Sequence, residues 1–489
     1  MVSATSAANP QRKQIDPEDH AAEPGFVGDV RAGHGSHFSA IWQRPGRATS
    51  RMKTRVQDAW ARLWRIAAGT ELRRHVLETY ATRLFVVVTT FATAVVVARE
   101  LGPSGRGFYA VAATIGAIGV QFGNLGLHLS NVYYVAKDRA LLPVLIGNTL
   151  AVVLVVCVIT AFSGIGLVFW PKLSPLHGTL LLLALASVPV GLAYLLTQGL
   201  LLGVNEVRAY NKIECGGKLL ALVLICIPAL LHGANVERFY GLTLSSVLIS
   251  FLCVLVYLRR VSPEPPALSF AVFRQTFGIG INAYMILFFS FLVLRVDLLM
   301  VKYMLGSTEA GYYSISQVLS ENTMLFPVVI GQLLFPKLSA IKEKAEKLRL
   351  ANKAVLVTAA LMLPAVVVAT IAAAPLISLA FGRSFLPAVS PFAWLMPGIY
   401  FLAIEIVMVQ LLNSEGFPLI IVGAWIADTI INIALNFWAI PRYGITGASA
   451  VSSVCYFLMF VIVSAVVWKR FYTSHPVAAR APREAVSCD

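Results

Sequence analysis

Seven ionisable side chains stand in apolar surroundings: Arg83, Lys218, Arg295, Asp297, Glu321, Glu405 and Asp428. A charge inside a bilayer costs roughly 2.5–3.5 kcal/mol on insertion scales, so such residues usually face a water-filled path. They suit two kinds of chemistry. Arg295, Lys218 and Arg83 are candidates for holding an anion, a pyrophosphate above all, because guanidinium and ammonium groups offer several charged donors. Asp297, Glu321 and Asp428 are candidates for carrying a coupled proton or sodium ion. Arg295 and Asp297 are two residues apart, so on a regular helix they point to nearly opposite sides. They cannot neutralise one another there; one should face a cavity and the other a neighbouring helix. Lys302 shares the face of Arg295 two turns on, and Arg83 is close enough to a helix end to snorkel.

Uncharged polar residues recur at helical spacing near these charges. Gln121, Asn124, His128 and Asn131 form one stripe, Tyr313, Gln317 and Glu321 a second, and Asp428, Asn432 and Asn436 a third. Such stripes either line an aqueous cavity or hydrogen-bond across helices. The cavity-lining candidates are Gln121, Asn124, His128, Gln317, Asn432 and Asn436.

These residues must be positioned by membrane-spanning helices. The chain has 489 residues, of which 58% are hydrophobic and 13% charged, with a mean hydropathy of +0.76. A soluble domain carries about 25% charged residues, so this is an all-α polytopic membrane protein. About twelve apolar runs lie near 80–99, 107–133, 144–169, 178–203, 213–231, 240–258, 276–301, 311–336, 354–380, 390–412, 417–438 and 445–468. Each is long enough to cross a hydrocarbon core of about 30 Å. The net charge of +15 fits Lys and Arg gathered in cytoplasmic segments and on anionic lipid; no nucleic-acid partner is expected. The basic segment SAIKEKAEKLRLANK between the eighth and ninth runs places both termini in the cytoplasm. The first apolar run begins only near residue 80, so no signal peptide is expected.

The segment Leu101 to Val111, LGPSGRGFYAV, has the glycines of a phosphate loop but no Lys-Ser or Lys-Thr after them. It has a partner instead. Leu305 to Ile315 reads LGSTEAGYYSI, 204 residues on, and Tyr240-Gly-Leu-Thr is matched by Tyr443-Gly-Ile-Thr at a shift of 203. The chain therefore reads as two parallel repeats of six helices, with a substrate path between them. The glycines of the duplicated segment are expected to serve a tight turn between the first two spans of each half. Gly116, Gly119, Gly123 and Gly126 read as a helix-packing face, and Pro189, Pro327, Pro364 and Pro397 as kinks.

The expected organisation is a disordered cytoplasmic tail over 1–52 and an amphipathic interfacial helix over 53–78. A six-helix bundle follows over 79–258, a cytoplasmic linker over 259–275, a second bundle over 276–470 and a tail over 471–489. The amphipathic helix is read from Val56, Trp60, Leu63, Trp64 and Ala67 on one face. There is no C-x-x-C, HExxH, G-x-S-x-G or Walker pair, so neither an enzyme nor a metal or cofactor site is expected. Energy must come from a proton or sodium gradient, the membrane potential or the cargo's own gradient.

Three stretches carry a family resemblance: VVVARELGPSGRGFYAVAATIGAIGVQFGNLGLHLSNVYYVAKD, LRVDLLMVKYMLGSTEAGYYSISQVLSEN and NIALNFWAIPRYGITGASAVSSV. They resemble polysaccharide repeat-unit (Wzx-type) flippases of the multidrug/oligosaccharidyl-lipid/polysaccharide exporter superfamily, over about residues 78 to 470. The resemblance implies alternating access in the bacterial inner membrane. Its cargo would be an undecaprenyl-pyrophosphate-linked oligosaccharide, and its candidate partners a polysaccharide polymerase and glycosyltransferases. Lipid II flippases of the superfamily carry about two further spans, which argues against a peptidoglycan precursor. The competing readings are a cation-coupled multidrug or small-molecule exporter on the same fold, a major-facilitator transporter and a scaffold. The second of these is disfavoured because KDRALLP keeps only Asp-Arg of that family's loop motif. A scaffold would leave the buried charges unexplained.

Overall fold

The computed structural model describes residues 70–170, 174–231, 233–416 and 418–473. The expected tail over 1–52, the amphipathic face from Val56 to Ala67 and the tail beyond 473 lie outside the described residues. The described residues from Arg74 onward belong to one compact unit, with no division at the linker between the two bundles.

The described residues are almost wholly helical, because a backbone in hydrocarbon must satisfy its hydrogen bonds within its own segment. In order, the helices are α1 Thr70–Asn124, α2 Leu127–Lys137, α3 Leu142–Phe169, α4 Gly178–Gly203, α5 Val207–Leu230, α6 Val236–Val261 and α7 Phe270–Val293. They continue with α8 Val296–Leu305, α9 Ser307–Thr323, α10 Leu325–Ala340, α11 Lys344–Ile371, α12 Ala373–Ala380, α13 Val389–Asn413 and α14 Leu419–Val467. Among the described residues nine helices are long and apolar enough to cross a membrane, or ten if the bent pair α9 and α10 is one span. Two apolar stretches, Ala81–Asn124 and Leu419–Tyr472, hold 44 and 54 residues, about twice what one crossing needs. Each is interrupted by one glycine with non-helical dihedrals, Gly102 (φ 63°, ψ −176°) and Gly444 (φ 63°, ψ −150°).

The breaks have local causes. Gly102 is followed by Pro103, and Gly306 (φ 99°, ψ −178°) separates α8 from α9. These two glycines are the same position in the two copies of the duplicated segment, and both occupy a region side chains disfavour. The Tyr-Gly-aliphatic-Thr pair does not behave this way: Gly444 is a break, whereas Gly241 lies inside the regular helix α6. Span eight bends by 43° between α9 and α10, where Pro327 removes the donor that Thr323 would accept. Gly126 (φ 77°) ends the first stretch rather than joining the packing face. Gly116, Gly119 and Gly123 do form that face: a Cβ at each would fall within 2.9 Å of Ser187, Val188 or Leu192 on α4. The linker is shorter than expected, since α6 runs to Val261 and α7 starts at Phe270.

The buried cores differ between the two ends of the bundle. Where α1 breaks at Gly102, one core unites both halves: Val97, Tyr109 and Val111 pack with Leu298, Val301, Tyr313 and Ile445. The core holding Val135, Leu142, Leu145, Leu200 and Leu258 is built from the first half, with Val272 of α7 at its margin. The halves are thus packed together on the glycine-loop side.

Candidate functional site

The anion candidates fall into two clusters, one in each half. In the first, Arg83 of α1 reaches Glu214 of α5, Nη1 to Oε1 3.2 Å, and donates a long hydrogen bond of 3.5 Å to the Tyr210 hydroxyl. Lys218 lies one helical turn beyond Glu214 and shares a face with buried Asn211 and Ile225. The Lys218 side chain is exposed. In the second, Arg295 pairs with Glu321 of α9, one Nη lying 2.9 and 3.0 Å from the two carboxylate oxygens. The Arg295 guanidinium also sits 5.7 Å from the centre of the Phe291 ring. Both partners remain accessible, at 27% and 40% of the side chain. Each guanidinium thus lies against a carboxylate of another helix.

Arg295 and Asp297 separate as their spacing predicts, helped by the break between α7 and α8 at Arg295 itself. Asp297 is 1% exposed. Its carboxylate accepts from the Tyr313 hydroxyl, from Gln317 Nε2 at 3.0 Å, from Ser452 Oγ at 3.0 Å and from the Leu298 amide at 2.8 Å. With four donors around it, Asp297 ties α8, α9 and α14 together. Replacing it by alanine strands the buried Tyr313 hydroxyl and takes one acceptor from Gln317 and Ser452, which keep the Leu294 and Ala448 carbonyls, a cost of about 2 kcal/mol. Asp297→Ala should lower the thermal unfolding midpoint of the detergent-purified full chain, and Asp297→Asn much less. An unchanged midpoint for the alanine form, with gradient-driven transport lost, would return Asp297 to the coupling candidates.

The polar stripes are mostly interhelical bonds. Gln317 is buried, donating to the Leu294 carbonyl as well as to Asp297, and does not line a hollow. Asn432 and Asn436 are fully buried, Asn436 Nδ2 donating to Asn432 Oδ1 at 3.1 Å. Asn124 accepts from the His128 amide, and the His128 ring meets the Leu195 carbonyl at 3.0 Å. Asn131 donates to Thr149 at 3.1 Å. Of the six cavity-lining candidates, Gln121 and His128 keep partial exposure. The reason is physical: on closely packed faces an amide finds a partner before it finds water, across a helix boundary for Gln317 and Asn131 and one turn along the same helix for Asn436.

Two further carboxyl groups are buried in the second half. Glu405 of α13 and Asp428 of α14 are 2% and 1% exposed and close enough to interact electrostatically. Glu405 Oε1, both Asp428 oxygens and Asn436 Oδ1 are buried without a hydrogen-bond partner. The Cys455 thiol lies beside Asp428, and charged carboxylates this deeply buried are costly without a counter-charge. No group of three or more His, Cys, Asp and Glu suited to a metal occurs among the described residues.

Spacing alone could not reveal Glu214, Tyr210 or Arg106. Glu214 had one signal, its position four residues before Lys218. Arg106 lies within the glycine segment, 6% exposed, with Nε 3.2 Å from the Ser314 hydroxyl. A hollow of about 380 Å³ opens between the first span and α9, α11, α12 and α13, lined by Val87, Val88, Phe91, Leu319, Asn322 and Thr323. Asn322 and Thr323 of α9 are the polar side chains on its lining.

Residues 96–390 match the profile of a family described as polysaccharide biosynthesis protein. A provisionally named O-antigen transporter of Shigella flexneri is 23% identical over 396 residues, covering 77% of this chain and 91% of the relative. Among solved structures, the lipid II flippase MurJ in an inward closed conformation is similar, with a TM-score of 0.66 and 14% identity over 80% of this chain and 87% of that one. So is an inward-facing multidrug resistance MATE family transporter of the MOP superfamily, with a TM-score of 0.65 and 14% identity over 79% of this chain and 95% of that one. These likenesses establish the fold of the superfamily.

Proposed function

The chain belongs to the polysaccharide biosynthesis protein family, and from that premise we propose that it moves a diphosphate-linked lipid oligosaccharide from the inner to the outer leaflet by alternating access. The observation that carries this reading is the pair of accessible guanidinium–carboxylate clusters, Arg83–Glu214 in one half and Arg295–Glu321 in the other, with Lys218 beside the first. Cations exposed to water inside an apolar bundle suit an anionic cargo, and a diphosphate exchanges readily with a carboxylate on arginine. The side hollow beside Asn322 lets a lipid tail stay in the bilayer while its head group enters.

The membrane is taken to be the bacterial cytoplasmic membrane, with both termini inside. The Glu405–Asp428 pair is the proposed place of a coupled proton or sodium ion. Asp297 is held by four donors and Glu321 by Arg295, so neither competes with it well. A polymerase or glycosyltransferase that receives or builds the cargo is the proposed protein partner. The same carboxyl pair favours one alternative, a cation-coupled exporter of small molecules.

Depleting the protein in its source cell separates the two. A flippase leaves lipid-linked oligosaccharide accumulating on the cytoplasmic leaflet, cured by the wild-type chain. Loss of export of a cationic drug without such accumulation overturns the flippase reading.

A further inference from the structure

The two copies of the glycine segment lie against one another. A Cβ on Gly107 would fall 1.8 Å from the Ser307 carbonyl oxygen and 2.9 Å from the Gly311 amide nitrogen. A Cβ on Gly311 would fall 1.9 Å from the Pro103 carbonyl oxygen and 3.3 Å from the Gly107 amide nitrogen. Gly107 and Gly311 are equivalent under the 204-residue shift, and so are Pro103 and Ser307. The contact is therefore reciprocal, backbone on backbone, as only glycine permits. The Ser104 and Ser307 hydroxyls close it at 2.9 Å. Lys302 adds a cation 4.4 Å from the centre of the Phe108 ring. Together with the shared core around Tyr109 and Tyr313, this clasp shuts the interface between the halves on the glycine-loop side.

One residue breaks the symmetry. Arg106 occupies the position that Ala310 holds in the second copy, and its acceptor Ser314 the position that Ala110 holds in the first. A clasp of two glycines needs no guanidinium. Arg106 is 6% exposed, 5.6 Å from the centre of the Tyr109 ring, and forms no ion pair among the described residues. Of its five donors one meets the Ser314 hydroxyl, and the Glu321 carboxylate acts on its charge from beyond ion-pair distance. Ser307, Gly311, Ser314 and Glu321 fall on one stripe of α9, spaced i, i+4, i+7 and i+14. Along that stripe Arg106 stands between the clasp and the Arg295–Glu321 pair. At 1.5 Å per residue, Ser314 and Glu321 are about 10 Å apart.

We propose that Arg106 is a gated anion contact, covered by the glycine clasp and presented to the cargo's diphosphate when the clasp parts. This rests on the diphosphate-linked cargo proposed above. Arg295 takes the head group from the open side; Arg106 receives it next along α9 as the glycine-loop side opens.

The test uses the full chain in detergent with inorganic pyrophosphate as probe, read by calorimetric titration. Ser104→Cys with Ser307→Cys, oxidised, locks the clasp; Gly107→Val, or Gly311→Ala as an independent route, holds it apart. In the clasp-open forms Arg106→Ala should weaken pyrophosphate binding at least tenfold; in the locked form it should change binding less than twofold. Cross-linking of the cysteine pair should fail in the Gly107→Val background. Equal weakening in both states, or none in the open state while Arg295→Ala still weakens binding, overturns the gated contact. Pyrophosphate binding to neither state overturns it by removing the diphosphate cargo itself, whatever the cross-linking yield.

Discussion

Arg295→Ala is expected to lower movement of the lipid-linked cargo at least about 30-fold, and Glu321→Ala to act in the opposite sense on binding. A hydrogen-bonded charge removed from a partly desolvated site costs about 2 kcal/mol or more, and each 1.36 kcal/mol is tenfold in rate. The low end of that range applies because Arg295 and Glu321 are 27% and 40% exposed, so water screens part of the attraction. Glu321 competes with the cargo for the same guanidinium. Its removal should raise apparent cargo affinity by up to about 5-fold, while turnover falls because release becomes slower. Flipping and binding measured in proteoliposomes separate the two variants. Equal loss of binding in both would mean that the ion pair braces the helices and does not receive an anion.

Glu405→Gln combined with Asp428→Asn is expected to abolish stimulation by an imposed proton or sodium gradient while leaving downhill exchange of cargo in place. Both acids are buried, and their free oxygens have no cationic side chain to answer them among the described ion pairs. Removing the charges lifts a burial cost, so the double variant should unfold at the same temperature or higher. Rates with and without each gradient, in liposomes of equal protein content, decide the matter. Persistent stimulation in the double variant would place coupling elsewhere, with Asp297 first in line.

The spans were legible because apolar runs of about twenty residues have few other fates. Gly102 and Gly306 were legible as turns because a duplicated Leu-Gly at one shift marks a repeated backbone need. The seven charges stood out by their cost alone. Their partners did not: Arg83 meets Glu214 across 131 residues, and no local pattern announces such a pairing. The amides of the polar stripes could not be assigned to cavity or interface, since both use the same helical spacing. Asn432 and Asn436 turned out to bond one another, and Gln317 to serve Asp297. Arg106 was hidden by its neighbours, because glycines on either side draw attention to the turn. The 204-residue shift signalled a repeat, but nothing in it says that the two copies touch.

Movement of a diphosphate-linked lipid oligosaccharide between leaflets can be followed directly in liposomes. The purified full chain is reconstituted into liposomes carrying a defined lipid-diphosphate oligosaccharide. The sugar exposed outside is then followed with a membrane-impermeant glycosidase. Leaflet-to-leaflet movement of this cargo makes the protected pool accessible with wild-type protein, and at least about 30-fold more slowly with Arg295→Ala. A pool that stays protected with wild-type protein, in liposomes that transport a cationic drug under the same gradient, would contradict it and assign the fold to small-molecule export.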